Sequence, residues 1–155
     1  MGKAVDISIF DIIGPIMIGP SSSHTAGAAR IGGMAKDLLG HTPKEVVISL
    51  YGSFAATYKG HATDKALVGG LLGFAPDDPR IRDSLRLARE HGMAFHFDIH
   101  DTDTEAVNSA ESMLGQSTSF HPNTAIIEAV AADGILMRIK GASIGGGIVR
   151  VEVLT

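Results

Sequence analysis

One stretch of the sequence decides the fold: residues 123–154, N-T-A-I-I-E-A-V-A-A-D-G-I-L-M-R-I-K-G-A-S-I-G-G-G-I-V-R-V-E-V-L. It holds three largely apolar runs, 123–130, 135–143 and 148–154, which an Ala-Asp-Gly turn and a glycine triplet separate. Short apolar runs joined by short turns predict consecutive strands that pair antiparallel.

Upstream of this stretch, helical and extended patterns alternate. The predicted elements are a helix at 23–39 ended by Gly40, a strand at 45–51, a helix from 63 or 64 to 72, a helix that starts at Asp78-Pro79 and ends at His91, a strand at 95–99 and a helix at 104–114. Most of the predicted helices precede the last third of the sequence, which contains only predicted strands, and this order predicts an α+β domain. We expect a mixed, largely antiparallel sheet with helices packed on one face.

Composition narrows the class of protein. The chain has 155 residues, 45% of them hydrophobic, which suits one globular domain over 1–155. Its net charge of −4 argues against a partner that is a nucleic acid or an anionic membrane. The sequence shows neither the pattern of a signal peptide nor an apolar run that spans a bilayer, so we expect a cytoplasmic protein. Cysteine is absent, which excludes thiolate chemistry and cysteine-held metal in this chain.

The first candidate site is G-P-S-S-S-H-T-A-G at 19–27, ahead of a helix rich in small residues that contains Arg30. Backbone N–H groups at a helix N-terminus, with little side-chain bulk around them, favour a carboxylate or a phosphate. Ser and Thr are also common N-caps, so the same run is compatible with a purely structural role.

The second candidate is Ser53 after the strand, followed by K-G-H-A-T-D at 59–64. His61 is predicted to lie in a loop, where Asp64 could orient it and raise its basicity as a general base. The alternative is that Thr63 or Asp64 only caps the next helix, and the two interpretations are compatible.

Two further candidates lie in the β-rich stretch. The motif H-P-N at 121–123 starts a strand, and S-I-G-G-G at 143–147 places three glycines together. The glycines would let the backbone approach a ligand, or they form a flexible turn. His121 is compatible with a plain strand-entry residue.

A metal site on the strand at 95–99 is not favoured. His96, Asp98 and His100 alternate along it, but residues four apart on a strand lie about 13 Å apart, too far to bind one ion. We predict that they form a solvated face.

Taken in order, these motifs closely resemble the β subunit, or β domain, of iron–sulfur-dependent L-serine dehydratase, also called L-serine ammonia-lyase. The motifs are G-P-S-S-S-H-T-A-G-A-A-R (19–30), G-S-F-A-A-T-Y-K-G-H-A-T-D-K-A (52–66), G-G-L-L-G (69–73), H-P-N (121–123) and S-I-G-G-G (143–147). The resemblance covers nearly the whole chain. The same domain type is similar to the allosteric substrate-binding domain of some phosphoglycerate dehydrogenases.

The resemblance implies β-elimination of water from L-serine, giving pyruvate and ammonia. It implies a 4Fe–4S cluster held by cysteines of an α subunit, no cofactor bound by this chain alone and no pyridoxal phosphate. It implies catalytic roles for His61, Asp64 and His24, with His61 as the base or proton shuttle. It also implies that the substrate-binding face comprises Ser21, Ser22, Ser23, Thr25, Ser53, Lys59, His121, Asn123, Ser143, Gly145, Gly146 and Gly147, and that this chain binds no metal.

Two rival functions stay open. The chain could be a non-catalytic allosteric module that binds serine or another small anion, or a His/Asp metal hydrolase. Longer β chains of the family continue into a regulatory ACT-type domain, whereas this sequence shows none. We expect a cysteine-bearing α subunit as partner, L-serine as small-molecule ligand, no activity without that subunit, and a possible homodimer.

Overall fold

The structure is a computed structural model that describes residues 19–100 and 121–154. The helices are α1 (Gly27–Leu39), α2 (Gly52–Thr57), α3 (Thr63–Leu71) and α4 (Ser84–Glu90); a π-helical turn (Ser22–Ala26) leads into α1 and a 3₁₀ turn (Pro79–Asp83) leads into α4. The strands are β1 (Glu45–Tyr51), β2 (Ala94–His100), β3 (Asn123–Val130), β4 (Leu136–Gly145) and β5 (Ile148–Leu154).

The five strands form one sheet in the order β2-β1-β3-β4-β5. β1 and β2 pair parallel, while β1–β3, β3–β4 and β4–β5 pair antiparallel. The helices α2, α3 and α4 lie between β1 and β2 in sequence, which supplies the long crossover that a parallel pair requires. The predicted α+β class with a mixed, largely antiparallel sheet is therefore confirmed.

The two faces of the sheet differ in chemistry. Ile48, Ile127 and Ile139 lie in register across the three central strands, and all three are fully buried beneath the helices. The other face carries polar cross-strand pairs, such as Arg138 with Glu128, an ion pair, and Lys140 Nζ, 3.5 Å from a carboxylate oxygen of Glu152. One apolar face and one polar face explain why the helices pack on a single side.

The polar face extends over β2, where His96 and His100 are exposed. The His96 Nε2 lies 2.9 Å from the Asp98 carboxylate within the same strand. The prediction that these residues form a solvated face is confirmed.

Packing of α1 against α3 depends on glycine. A Cβ on Gly32 of α1 would collide with the carbonyl oxygen of Leu67, and one on Gly70 of α3 would collide with that of Ala29. The two helices therefore approach nearly to backbone contact. Helices with larger side chains at the contact usually keep their axes about 8–10 Å apart, and glycine permits a closer approach. This close approach fixes α1 over the sheet and beside the loop that carries His61.

We predict that Gly32→Ala lowers the free energy of unfolding by about 1–3 kcal/mol, because the added methyl must push the helices apart. Gly33→Ala is the matched control, since its Cβ would come no nearer than 4.0 Å to the Gly70 oxygen. That variant should leave stability unchanged or raise it by up to about 1 kcal/mol, since alanine favours helix. Urea denaturation followed by circular dichroism measures both; equal effects of the two substitutions would contradict the packing argument.

The sequence-based elements agree with the structure except near β1. The predicted strands at 45–51, 123–130 and 148–154 match β1, β3 and β5, and Gly40 ends α1 with φ 80°. The sequence predicts no element for the residues directly after β1, but they form the short helix α2. The predicted helix at 104–114 lies outside the described residues. Within the described ranges, none of the helices has the length and apolar character needed to cross a bilayer.

Candidate functional site

His24 lies at the centre of a shell of serine hydroxyl groups. Its Nδ1 is 2.9 Å from the Ser23 Oγ and 3.2 Å from the Ser21 Oγ, and its Nε2 is 2.8 Å from the Ser53 Oγ. The ring sits in the π-helical turn, whose N-cap hydroxyl on Ser21 accepts a hydrogen bond from the His24 backbone N–H. Both ring nitrogens are thus engaged, and the imidazole is held in one orientation.

His61 approaches His24 from the loop between α2 and α3. The two ring centroids are 4.7 Å apart with an interplanar angle of 75°, and the Nδ1 of His61 is buried without a hydrogen-bond partner among the described residues. Ala62 follows at φ 57°, the one positive φ of a non-glycine residue in the described ranges. The Thr25 hydroxyl donates to the His61 carbonyl oxygen over 2.9 Å and so ties this strained turn to the helix that carries His24.

A second group of polar residues gathers at the ends of β3 and β4. The Asn123 side-chain amide donates to the Ser143 carbonyl oxygen at 3.4 Å, and the Asn123 backbone N–H donates to Nδ1 of His121 at 3.1 Å. The Asn123 Oδ1 and the Ser143 Oγ are buried, and neither has a partner among the described residues.

Backbone contacts bring the two groups to the same end of the sheet. The Ser53 N–H donates to the Pro122 carbonyl oxygen at 2.8 Å, directly before Asn123. Gly27, three residues after His24, lies so close to Ser143 that an added Cβ would overlap the serine hydroxyl. Four of the sequence motifs therefore converge, although they lie far apart in the chain.

The glycine triplet, which follows Ser143 in the same motif, is anchored to α1. The Arg30 Nη1 donates to the Gly147 carbonyl oxygen at 2.6 Å, which fixes the β4–β5 turn against α1. Gly145, Gly146 and Gly147 all have positive φ, between 61° and 106°.

Within the first two motifs, three of the predicted site residues make no described contact with the histidine pair. Lys59 is exposed, with its Nζ 5.7 Å from the ring centre of Tyr58. Asp64 accepts a hydrogen bond from the Lys65 backbone N–H at 2.7 Å, and no described hydrogen bond joins it to His61. Ser22 is half-buried, and its described contact is made by its carbonyl oxygen, which accepts the Gly27 N–H.

Two residues of the site were missed in the sequence. Phe54 packs against the His24 ring with 5.4 Å between centroids, and Thr63 has a buried hydroxyl without a described partner. Phe54 lies in α2, a helix that the sequence did not predict, so the direction of the Phe54 side chain could not be inferred. Thr63 was interpreted as a possible helix cap, but its side chain makes no capping hydrogen bond.

The donor set suits hydrogen bonding rather than metal binding. Within 19–100 and 121–154, no group of three or more His, Cys, Asp or Glu side chains is placed to hold an ion. The site offers hydroxyl, amide and imidazole groups, and buried groups of this kind rarely stay unpaired in a folded protein. A small polar ligand that supplies the missing partners fits this arrangement.

Residues 8–153 match the family model of the serine dehydratase beta chain. The chain belongs to this family. It is 46% identical over 147 residues to the probable L-serine dehydratase, beta chain, of Bacillus subtilis, and 44% identical over 146 residues to the L-serine dehydratase, beta chain, of Peptoniphilus asaccharolyticus. It is also 34% identical over 152 residues to L-serine dehydratase 2 of Escherichia coli.

The alignments cover this chain more completely than they cover its relatives. The alignments cover 95% and 94% of this chain but 60% of each of the two beta chains, and 92% of this chain but 33% of the Escherichia coli protein. The chain thus spans about three-fifths of the length of the beta chains that it matches. The family resemblance inferred from the motifs is confirmed.

Burial sets the protonation of His24 in this family member. Loss of hydration lowers the pKa of His24 below the ordinary value of 6.5, and the neighbouring His61 lowers it further. The folded protein therefore holds His24 neutral at pH 7. Burial also raises the pKa of Asp64, against the smaller opposing effect of the hydrogen bond from Lys65.

We predict that NMR titration places the pKa of His24 below 6.5 and that His61→Gln raises it, because the substitution removes the electrostatic effect of His61 that lowers this pKa. Since the unfolded chain then binds the proton more readily, this group's contribution to stability is present above pH 6.5 and is lost as the pH falls through the folded-state pKa. His96→Gln, on the exposed face, should leave the His24 titration unchanged. A His24 pKa at or above 6.5 would contradict the burial argument.

We also predict that Thr25→Val lowers the free energy of unfolding by about 1 kcal/mol, because it removes the hydroxyl that holds the His61 turn. The His61 ring should move away from His24, so the pKa of His24 should rise as well. Ser84→Ala is the control: it removes a comparable hydrogen bond, 2.6 Å from the hydroxyl to the Lys65 carbonyl oxygen, that involves neither histidine nor its turn. Denaturation measures the free energy of unfolding and NMR titration measures the pKa of His24. Only Thr25→Val should change both quantities.

Proposed function

We propose that this chain is the β subunit of an L-serine dehydratase, which converts L-serine to pyruvate and ammonia together with a cysteine-bearing α subunit. The names of its relatives, L-serine dehydratase beta chains among them, support the activity. The structural observation that carries the proposal is the edge-to-face contact of two imidazoles, with ring centroids 4.7 Å apart, within a shell of hydroxyl groups.

The proposed reaction needs one proton acceptor and one leaving group. A base removes the α-proton of L-serine, the bond between the β-carbon and the hydroxyl breaks, and the departing hydroxide takes up a proton and leaves as water. The resulting enamine rearranges to an imine, which water hydrolyses to pyruvate and ammonia. Histidine serves most often as the general base in such proton transfers.

His61 is the base in this proposal. Its buried Nδ1 is free of protein hydrogen bonds among the described residues, so this atom can take the α-proton. His24 differs, because both of its ring nitrogens are engaged by serine hydroxyls. We assign two roles to His24. It orients the shell of serine hydroxyls, and its neutral ring adds no charge beside His61, so that His61 can take up a proton.

The polar groups around the histidines are assigned to the substrate. Neutral His24 donates from one ring nitrogen and accepts a hydroxyl proton at the other. The serine hydroxyls that accept from the ring, among those of Ser21, Ser23 and Ser53, can donate to the carboxylate of the substrate. The Asn123 Oδ1 and the Ser143 Oγ, both without described partners, can accept hydrogen bonds from the ammonium group. Several contacts of this kind would fix the Cα–H bond toward His61 and so lower the entropy cost of proton transfer.

The iron–sulfur cluster that the resemblance implies does not fit this chain. The sequence has no cysteine, and the described residues hold no group of His, Cys, Asp or Glu suited to an ion. We therefore assign the 4Fe–4S cluster to the α subunit. In this proposal, the present chain contributes substrate binding and proton transfer.

The proposal predicts that His61→Ala, assembled anaerobically with the α subunit, lowers kcat by about 100-fold or more while KM changes little. His96→Ala, which alters an exposed histidine on the other face of the sheet, is the matched control and should retain full activity. Pyruvate release from L-serine measures both. Unchanged turnover in His61→Ala would exclude the base assignment.

The same assembly separates the enzyme from the rival allosteric module. If pyruvate forms only when both chains are present, this chain is part of the enzyme. If the α subunit is equally active alone and the isolated chain binds L-serine by calorimetry, the proposed catalytic role is wrong and the module is favoured.

A further inference from the structure

The edge of the sheet formed by β5 carries an apolar surface that nothing in the described structure covers. Among the described strands, β5 has a hydrogen-bonded neighbour on one side only, β4. Along β5, Ile148 is 58% exposed and Val153 is 43% exposed. An uncovered strand edge offers a row of backbone donors and acceptors that a second strand can pair with.

The helix above this edge extends the apolar surface. α1 packs over β4 and β5, and its Gly32 faces α3. Met34 lies about 200° around the helix from Gly32, and Leu38 follows one turn later, so both occupy the flank away from α3, above the β5 edge. They are 42% and 44% exposed. We define the β5 edge surface as Met34, Leu38 and the strand Ile148–Leu154.

We propose that the β5 edge surface pairs with the same surface of a second copy of this chain, around a two-fold axis that passes through Val151. The two β5 strands then run antiparallel and join the sheets into one. A two-fold axis perpendicular to the sheet places the helix-covered faces of both copies on one side and the polar faces on the other. Residues that pair across the axis must therefore point to the same face.

Charge selects the register. With Val151 on the axis, Arg150 lies opposite Glu152 of the second copy, and Glu152 lies opposite the second Arg150. Shifting the axis to position 150 would oppose two arginines, and shifting it to position 152 would oppose two glutamates. Opposite charges directly across a strand pair stabilise it, whereas like charges destabilise it.

The remaining positions of the register are apolar. Ile148 lies opposite Leu154 on the polar face of the sheet, and Val149 lies opposite Val153 on the helix-covered face. Because Val149 and Val151 already pack against the core, the pairing continues the core into the second copy. The exposed flank of α1 with Met34 and Leu38 then faces its counterpart across the axis.

The opposite edge, β2, is less suited to this pairing. A register centred on Phe97 would oppose His96 and Asp98, but these two side chains already pair with each other within the strand. The helix above β2 is α4, whose Arg89 lies over the Phe95 ring and whose Arg86 and Glu90 form an ion pair. The large apolar residues of α1 have no equivalent among the exposed residues of α4.

Because the chain has no cysteine, a single introduced cysteine can test the register by disulfide cross-linking. In the proposed register, Val151 faces itself at a Cα distance of about 4.5–5.5 Å, within the range of a disulfide. Val151→Cys should therefore give a covalent dimer on mild oxidation at micromolar concentration. Arg82→Cys, at an exposed position outside the β5 edge surface, is the control and should stay monomeric in a denaturing gel. Equal cross-linking of the two variants would overturn the register.

Charge reversal tests the pairing without a covalent bond. Arg150→Glu should weaken dimerisation by about tenfold or more in sedimentation equilibrium, because it opposes two pairs of like charges. Arg82→Glu, with the same change in net charge, should leave the dimer constant unaltered. Mixing Arg150→Glu with Glu152→Arg should restore dimers, since opposite charges then face each other only in the mixed species. A wild-type chain that sediments as a monomer, or an Arg150→Glu variant that dimerises normally, would overturn the proposal.

Discussion

The close approach of helix α1 to its neighbours is the constraint on which the rest of the structure depends. Gly32 lets α1 lie against the backbone of α3, and Gly27 lets the start of the same helix lie against Ser143 of β4. One helix therefore sets the distance to the other helix and to the sheet. A side chain at either position would move the π-helical turn that carries His24, and with it the candidate site.

The chemistry of the site follows from that placement. Because the turn before α1 is held against β4, His24 reaches Ser53 at the end of β1, and Thr25 reaches the carbonyl oxygen of His61. The strained backbone at Ala62 is tolerated because this hydrogen bond holds the residue before it. The free energy that the fold gains in its core thus offsets local costs at the site: a buried neutral imidazole, a positive φ and several unpaired polar atoms.

The sequence predicted the elements well where a local pattern carries the information. Val46-Val47-Ile48 within β1 and the alternation of Phe95 and Phe97 with polar residues depend only on near neighbours, and so do the glycines that end helices. It failed at α2, because six residues after a strand offer too little periodicity to separate a helix from a loop. Pairing of His24 with His61 could not be inferred either, since the glycine contacts that bring them together join residues far apart in the chain. Only the family resemblance predicted that these motifs share one site.

The candidate site and the β5 edge surface occupy different parts of the sheet, so both can be used at once. The site lies at the end of the sheet, where β1 and β4 finish and β3 begins, whereas the proposed two-fold contact runs along the side of β5. Only the β4–β5 turn, held to α1 by Arg30, is close to both. A dimer formed along β5 would leave two open sites, one per chain. In the proposed function, each of these sites would face an α subunit of its own, so we infer an assembly of two β and two α chains.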